Sequence, residues 1–167
     1  CREVLITLVR SIQASPGSAS DAPWDVPLPS TMLGRYRVTG TRGAGGMGVV
    51  YKARDLELDD VVALKMLKPY LLQDPQHLER LKSEIKLARK ITHPNVLRTF
   101  DFGEIDGSPF ISMEYVRGMT LRQLLQQESR IPVSAAIRIA KQLCAGLAAA
   151  HEAGVLHRDI KPENLIL

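Results

Sequence analysis

His157-Arg158-Asp159-Ile160-Lys161-Pro162-Glu163-Asn164-Leu165-Ile166-Leu167 is the stretch on which the fold of this chain is read. A carboxylate, a lysine and an amide sit at fixed spacing in one loop. Transfer of a phosphoryl group to a hydroxyl requires that set. The carboxylate of Asp159 can orient an attacking hydroxyl and accept its proton. Lys161 can neutralise charge on the moving phosphate, and the amide oxygen of Asn164 can ligate a metal. Four residue types fixed within an H-R-D-x-x-x-x-N spacing make a specific pattern, beside which a merely polar loop after a helix explains little.

Working upstream, Val133, Ala136, Ile137, Ala140, Leu143, Cys144, Leu147 and His151 repeat at helical spacing after Pro132, and Gly154 suits the C-terminal cap. Thr120-Leu121-Arg122-Gln123 fits a capping box opening a short helix. Asp74-Pro75 starts a further helix, with Leu78, Leu81, Ile85 and Ala88 on one face. Strand patterns cover Tyr36–Thr41, Val49–Arg54, Val61–Leu67, Val96–Phe102 and Phe110–Val116. The expected fold is α+β: a five-stranded antiparallel sheet with one helix, then a mainly helical part. Residues 1–13 carry a brief apolar pattern with no assignment. Residues 14–35, rich in Ser, Pro, Gly and Ala, read as a flexible linker holding the single tryptophan, Trp24.

Between the first two strands runs Gly43-Ala44-Gly45-Gly46-Met47-Gly48. Glycines let a backbone approach phosphate oxygens and offer amide hydrogens. Alone, this pattern suits dinucleotide binding equally well. A dinucleotide fingerprint opens a helix, however, whereas Val49-Val50-Tyr51-Lys52-Ala53 alternates as a strand. A phosphate loop of the Walker type needs Lys and Ser or Thr where Val49 and Val50 stand. The turn therefore reads as a flap between two strands, over a nucleotide. On the third strand, Ala63 and Lys65 share a side, with small Ala63 leaving room for a base and Lys65 reaching phosphates. A buried ammonium needs a partner. Glu84 is the candidate, although its neighbours Lys82 and Lys86 also suit a solvated helix position.

Glycine flap, strand lysine, helix glutamate and H-R-D loop, in this order, resemble the protein kinase family over residues 36–167. The resemblance implies a nucleotide lobe and hinge over 36–116, and over 117–167 a partial second lobe ending in the catalytic loop. It implies that Gly43, Gly45 and Gly48, with Arg42, Ala44, Gly46 and Met47, line the phosphates of ATP, and that Lys65 holds the α- and β-phosphates while paired with Glu84. Met113 looks like the gatekeeper. Glu114 and Val116 look like the hinge positions whose backbone bonds adenine, and Val50, Ala63 and Ile166 like those that sandwich the ring. Asp159 is implied as the base, Lys161 as the phosphate lysine and Asn164 as a ligand of Mg2+. D-x-K-P-x-N resembles the serine/threonine branch, and Gly45–Tyr51 resembles bacterial members. Arg158 resembles an arginine that pairs with a phosphorylated activation loop. Arg42 departs from the usual aliphatic residue, though its stem can cover the ring.

Composition agrees with a globular chain: of 167 residues, 45% are hydrophobic and 24% charged. The net charge of +4 is spread along the chain and gives no reason to expect nucleic acid as a partner. Cys144 falls on the apolar face of its helix and is expected to be buried and inert, like most unpaired core thiols. Two cysteines exclude a disulfide scaffold and favour a reducing compartment, the cytoplasm, with any membrane tether left to segments outside this chain. No apolar stretch approaches the length of a membrane span. Starting at Cys1 rather than Met, the chain reads as a fragment of a longer protein. The family's D-F-G segment and activation loop do not follow Leu167, so these residues alone are expected to lack turnover. Leu165–Leu167 are expected as an unpaired strand edge, and the long helix as carrying an apolar face awaiting further helices. The expected activity is ATP-dependent phosphorylation of protein Ser/Thr. A non-catalytic nucleotide- or partner-binding module is the alternative.

Overall fold

The structure is a computed structural model that describes residues 4–6, 32–45, 48–67, 74–128 and 130–167. Expectations placed on Trp24, on most of the 14–35 linker, on Gly46 and Met47 and on the side chain of Arg42 lie outside the described residues. In chain order the elements are β1 (Leu5–Ile6), β2 (Met32–Leu33), β3 (Tyr36–Gly45), β4 (Gly48–Asp55), β5 (Asp60–Leu67), α1 (Pro75–Ala88), β6 (Thr99–Ile105), β7 (Ser108–Glu114), α2 (Leu121–Gln127), α3 (Val133–Glu152) and β8 (Leu165–Ile166). Two compact units result, one drawn from Ser11–Leu78 and Phe100–Tyr115, the other from Cys1–Arg10, Glu79–Thr99 and Val116–Leu167.

The first unit is a sheet in the order β2-β3-β4-β5-β7-β6. The five expected strands are present, and the two-residue β2 adds an edge, with Leu33 opposite Tyr36. The end of the expected linker is therefore a strand, because Gly34-Arg35 form a tight turn and Leu33 is buried. Alternation does the rest. Val38, Val49, Tyr51, Ala53, Val62, Leu64, Met66 and Phe110 form one apolar cluster with Leu33 and Tyr36. Asp106 and Gly107 both take positive φ, as a two-residue hairpin turn requires, and join β6 to β7. β6 begins at Thr99 rather than at Val96. The reason is that Val96 donates back to His93 O (3.0 Å) and bridges Ile6 instead.

The second unit gathers the helices. Asp74 Oδ1 accepts from Gln76 N (2.8 Å) and caps α1, which buries Leu81, Ile85 and Ala88. Thr120 closes a full capping box with Gln123 at the start of α2. α3 ends in a Schellman motif: Gly154 N donates to His151 O (2.9 Å) and Val155 N to Ala150 O (2.8 Å), with Gly154 at φ +78°. A core cluster joins Ala88, Ile91, Val96, Ala150, Val155 and Leu165 to Val4 and Ile6.

Three expectations are corrected here. Leu165–Ile166 is not a bare edge, since it pairs antiparallel with Leu5–Ile6, and part of the unassigned N-terminal segment is thereby a core strand. Cys144 is exposed. The packed stripe of α3 runs through Ile139, Leu143, Gly146, Leu147 and Ala150, which leaves Val133, Ile137 and Cys144 on its other side. Finally, α3 reaches the length and mean hydropathy (1.3) of a membrane span, because alanine-rich apolar sequence surrounds its packed stripe. That stripe nevertheless packs into the core of this unit.

Candidate active site

In the second unit the H-R-D stretch is a tightly bonded loop. His157 is buried, and its Nδ1 accepts from Asp159 N (3.2 Å), which sets the direction in which the aspartate leaves the chain. Arg158 between them holds φ +58°, a left-handed conformation that costs a non-glycine residue energy and persists where surrounding structure imposes it. Lys161 Nζ lies 2.8 Å from Asp159 Oδ2. Pro162–Asn164 form a 3-10 turn that brings Asn164 back onto the aspartate, where Nδ2 donates to Asp159 O (2.8 Å) and to Oδ2 (3.2 Å). Lys161 and Asn164 thus converge on the Asp159 carboxylate, whose orientation is fixed through Oδ2. Its side chain is 17% exposed.

β8 anchors this loop from behind. Beyond its pairing with β1, its other side carries a bridge from Ile166 to Thr120, and Leu167 N donates to Met119 O (2.9 Å). Gly118 permits that approach, since a Cβ there would collide with Leu167 O and come within 3.0 Å of Ile166 Cγ2. From α2, Arg122 Nε reaches Glu163 Oε1 at 2.8 Å. The hydrogen bond from Arg122 holds the Glu163 carboxyl below its ordinary range. Sequence reading missed Arg122, because nothing local relates it to a residue on a distant loop. It missed Val4–Ile6 for the same reason.

In the sheet unit, register collects the expected nucleotide positions on one face. Val50 lies opposite Lys65 and Lys65 opposite Ile111, and in the next row Lys52, Ala63 and Met113 align. Opposite partners in an antiparallel sheet share a face, so Val50, Ala63, Lys65 and Met113 lie together, away from the core cluster of Tyr51 and Leu64. Ala63 and Met113 are buried. The glycine segment continues the β3–β4 ladder, with Gly43 opposite Val50, Ala44 opposite Val49 and Gly45 opposite Gly48, and the register shifts between Thr41 and Gly43. Glu114 ends β7 and Val116 follows half-buried. Glu84, half-buried on α1, belongs with Asp159, Asn164 and Ile166 to the other unit.

A glycine hairpin with a lysine strand beside it, and a separate loop gathering Asp, Lys and Asn, are the two halves of a phosphotransferase domain. The family model described as "Protein kinase domain" matches residues 36–167, and the chain belongs to the protein kinase family. Serine/threonine-protein kinase pkn3 of Myxococcus xanthus is 45% identical over 138 residues, which are 82% of this chain and 25% of that protein. Serine/threonine-protein kinase PknE of Mycobacterium bovis is 38% identical over 137 residues, 82% of this chain and 24% of that protein. The crystal structure of the PknI kinase domain of Mycobacterium tuberculosis superposes with a TM-score of 0.76 at 30% identity, covering 85% of this chain and 59% of that one. The chain spans about a quarter of the length of these curated relatives.

Proposed function

We propose that the protein transfers the γ-phosphoryl group of ATP to a serine or threonine hydroxyl of another protein. The observation that carries this reading is the convergence of Lys161 (2.8 Å) and Asn164 (3.2 Å) on the Asp159 carboxylate. In this reading Asp159 orients the acceptor hydroxyl and takes its proton as the bond to phosphorus forms. Lys161 sits where it offsets charge on the transferred group, which is most of what such catalysis needs. Asn164 donates to Asp159 through Nδ2, so its amide oxygen is the atom offered to a cation. Oxygen donors of this hard type suit Mg2+. Bound magnesium would neutralise charge on the nucleotide phosphates.

The nucleotide half rests on the aligned face of β4, β5 and β7. There Lys65 is proposed to hold the α- and β-phosphates with Glu84 as its counter-ion, beneath Arg42, Gly43, Ala44, Gly45, Gly46, Met47 and Gly48. Val50, Ala63 and Ile166 are proposed to enclose adenine beside Met113, and the backbone of Glu114 and Val116 to bond it. The kinase names of the relatives support the serine/threonine acceptor and a protein substrate. The cytoplasm is the compartment proposed.

The test, made on this domain together with a D-F-G segment and activation loop, is magnesium-dependent ATP binding followed by phosphate transfer from labelled ATP to a serine-containing protein. Lys65→Ala is expected to weaken ATP binding. Asp159→Asn is expected to leave binding intact and to lower turnover by about a hundredfold or more. Full turnover in Asp159→Asn, or nucleotide affinity indifferent to Lys65→Ala, would refute the reading.

A further inference from the structure

Lys52 lies on the nucleotide face without a part in the proposed site. It shares a row with Ala63 and Met113 across β4, β5 and β7. Half-buried there, its Nζ lies over the ring of Tyr115, 5.1 Å from the centroid. An ammonium within about 6 Å of a ring centroid is attracted by the electron-rich face. Tyr115, half-buried as well, follows Glu114, the last residue of β7.

Strand order makes this contact a long reach. β5 lies between β4 and β7, and neighbouring strands stand about 4.8 Å apart. The lysine chain therefore has to cross β5 to meet the tyrosine. Directly opposite Lys52 is Ala63, whose single methyl leaves the crossing open. The start of the reach is fixed. Thr39 is the extra residue at the register shift between Val38 and Gly40, and its Oγ1 donates to Lys52 O (3.2 Å). An irregularity of this kind increases the local twist and re-aims the side chains beside it.

We propose, on the basis of the nucleotide site above, that Lys52 is a positioning residue for adenine and acts through Tyr115. The cation holds the ring in one orientation at the end of β7, next to the Glu114 backbone proposed to bond the base. Lysine stem and ring together form an edge across Ala63, the position proposed to lie against adenine. A base then meets a wall that is already ordered, and less side-chain freedom is lost on binding. The effect falls on the base. The phosphates belong to Lys65, in the adjacent row.

Binding to the domain together with a D-F-G segment and activation loop tests this, with ATP, uncharged adenosine and tripolyphosphate as probes. Lys52→Met is expected to weaken ATP and adenosine by the same factor, about two- to fivefold, and to leave tripolyphosphate unchanged. Lys52→Arg keeps a cation over the ring and is expected to retain affinity. In a Tyr115→Leu background, Lys52→Met is expected to have no further effect, because two residues that act through one contact are not additive. In phosphate transfer, Lys52→Met is expected to raise KM for ATP with kcat unchanged. Proton NMR of the parent reads the contact without any substitution: the Lys52 Cε protons are expected upfield of ordinary lysine, shifted by the ring. Unchanged adenosine affinity in Lys52→Met, an equal loss for tripolyphosphate, additive losses in the double variant, or Cε protons at the ordinary position would each overturn the role of Lys52. A parent that binds no ATP, or binds it indifferently to Lys65→Ala, would instead refute the nucleotide site itself.

Discussion

Arg158 and Glu163 show how single residues hold the catalytic loop. At φ +58° the side chain of Arg158 crowds its own backbone. A β-branched residue there should be costlier, so Arg158→Val is expected to lose about 1–2 kcal/mol. Arg158→Gly is expected to lose nothing. Urea denaturation of the three proteins checks the order. Glu163 is a different case, an exposed carboxylate whose affinity for protons is lowered by the hydrogen bond from Arg122. A carboxyl with a depressed folded value stabilises the fold above its ordinary titration range. That contribution fades as pH falls through the lowered value. In Arg122→Gln the Glu163 carboxyl should titrate back near the ordinary range, which NMR of the side-chain carboxyl would read. An unmoved titration would mean that the ion pair seen at 2.8 Å does not persist in solution.

At the level of elements, close approach outweighs intrinsic preference. Alanine is favoured over glycine inside a helix by about 1 kcal/mol, so Gly146→Ala in the middle of α3 would stabilise an isolated helix. In the fold the added Cβ meets the Asn95 carbonyl oxygen at 2.7 Å and Ile6 Cδ1 at 2.8 Å. Backbone must move, and overpacking of this kind costs about 1–3 kcal/mol. The variant is expected to be destabilised overall in thermal or urea unfolding. The same contact explains what could be read from sequence. Elements with a local signature were legible: the Asp74 cap, the Thr120 capping box, the Gly154 stop and the alternation that separates Tyr51 and Leu64 from Val50 and Lys65. β1 was not, because a few residues near the N-terminus carry no local sign of a partner at Leu165–Ile166. The phase of α3 was misjudged because alanine and isoleucine occur all round the helix, so spacing alone could not choose between Cys144 and Gly146. Within the site, the convergence on Asp159 was legible as a motif, whereas the Arg122 tether depended on the tertiary fold.

Across the whole chain, the described apolar residues divide into two separate cores, one built on the sheet face around Leu64 and one around Ile6, Val96 and Ala150. What neither core absorbs lies mainly on α3 and in the loop after it. Val133 is 75% exposed and Ile137 50%, with Leu156 at 54% and Ile160 at 44%. Apolar side chains that touch no core contribute little to folding, and exchanging them for charge at a surface position shifts stability by no more than about 0.5 kcal/mol. Val133 and Ile137, one turn apart on the same face of α3, still favour association, since contiguous apolar surface is what soluble chains minimise. The double variant Val133→Lys, Ile137→Lys is therefore expected to unfold at the same urea concentration as the parent. It should also show less self-association by light scattering at high protein concentration. A marked loss of stability would show that these side chains are packed in solution, and unchanged association would assign the tendency to another surface.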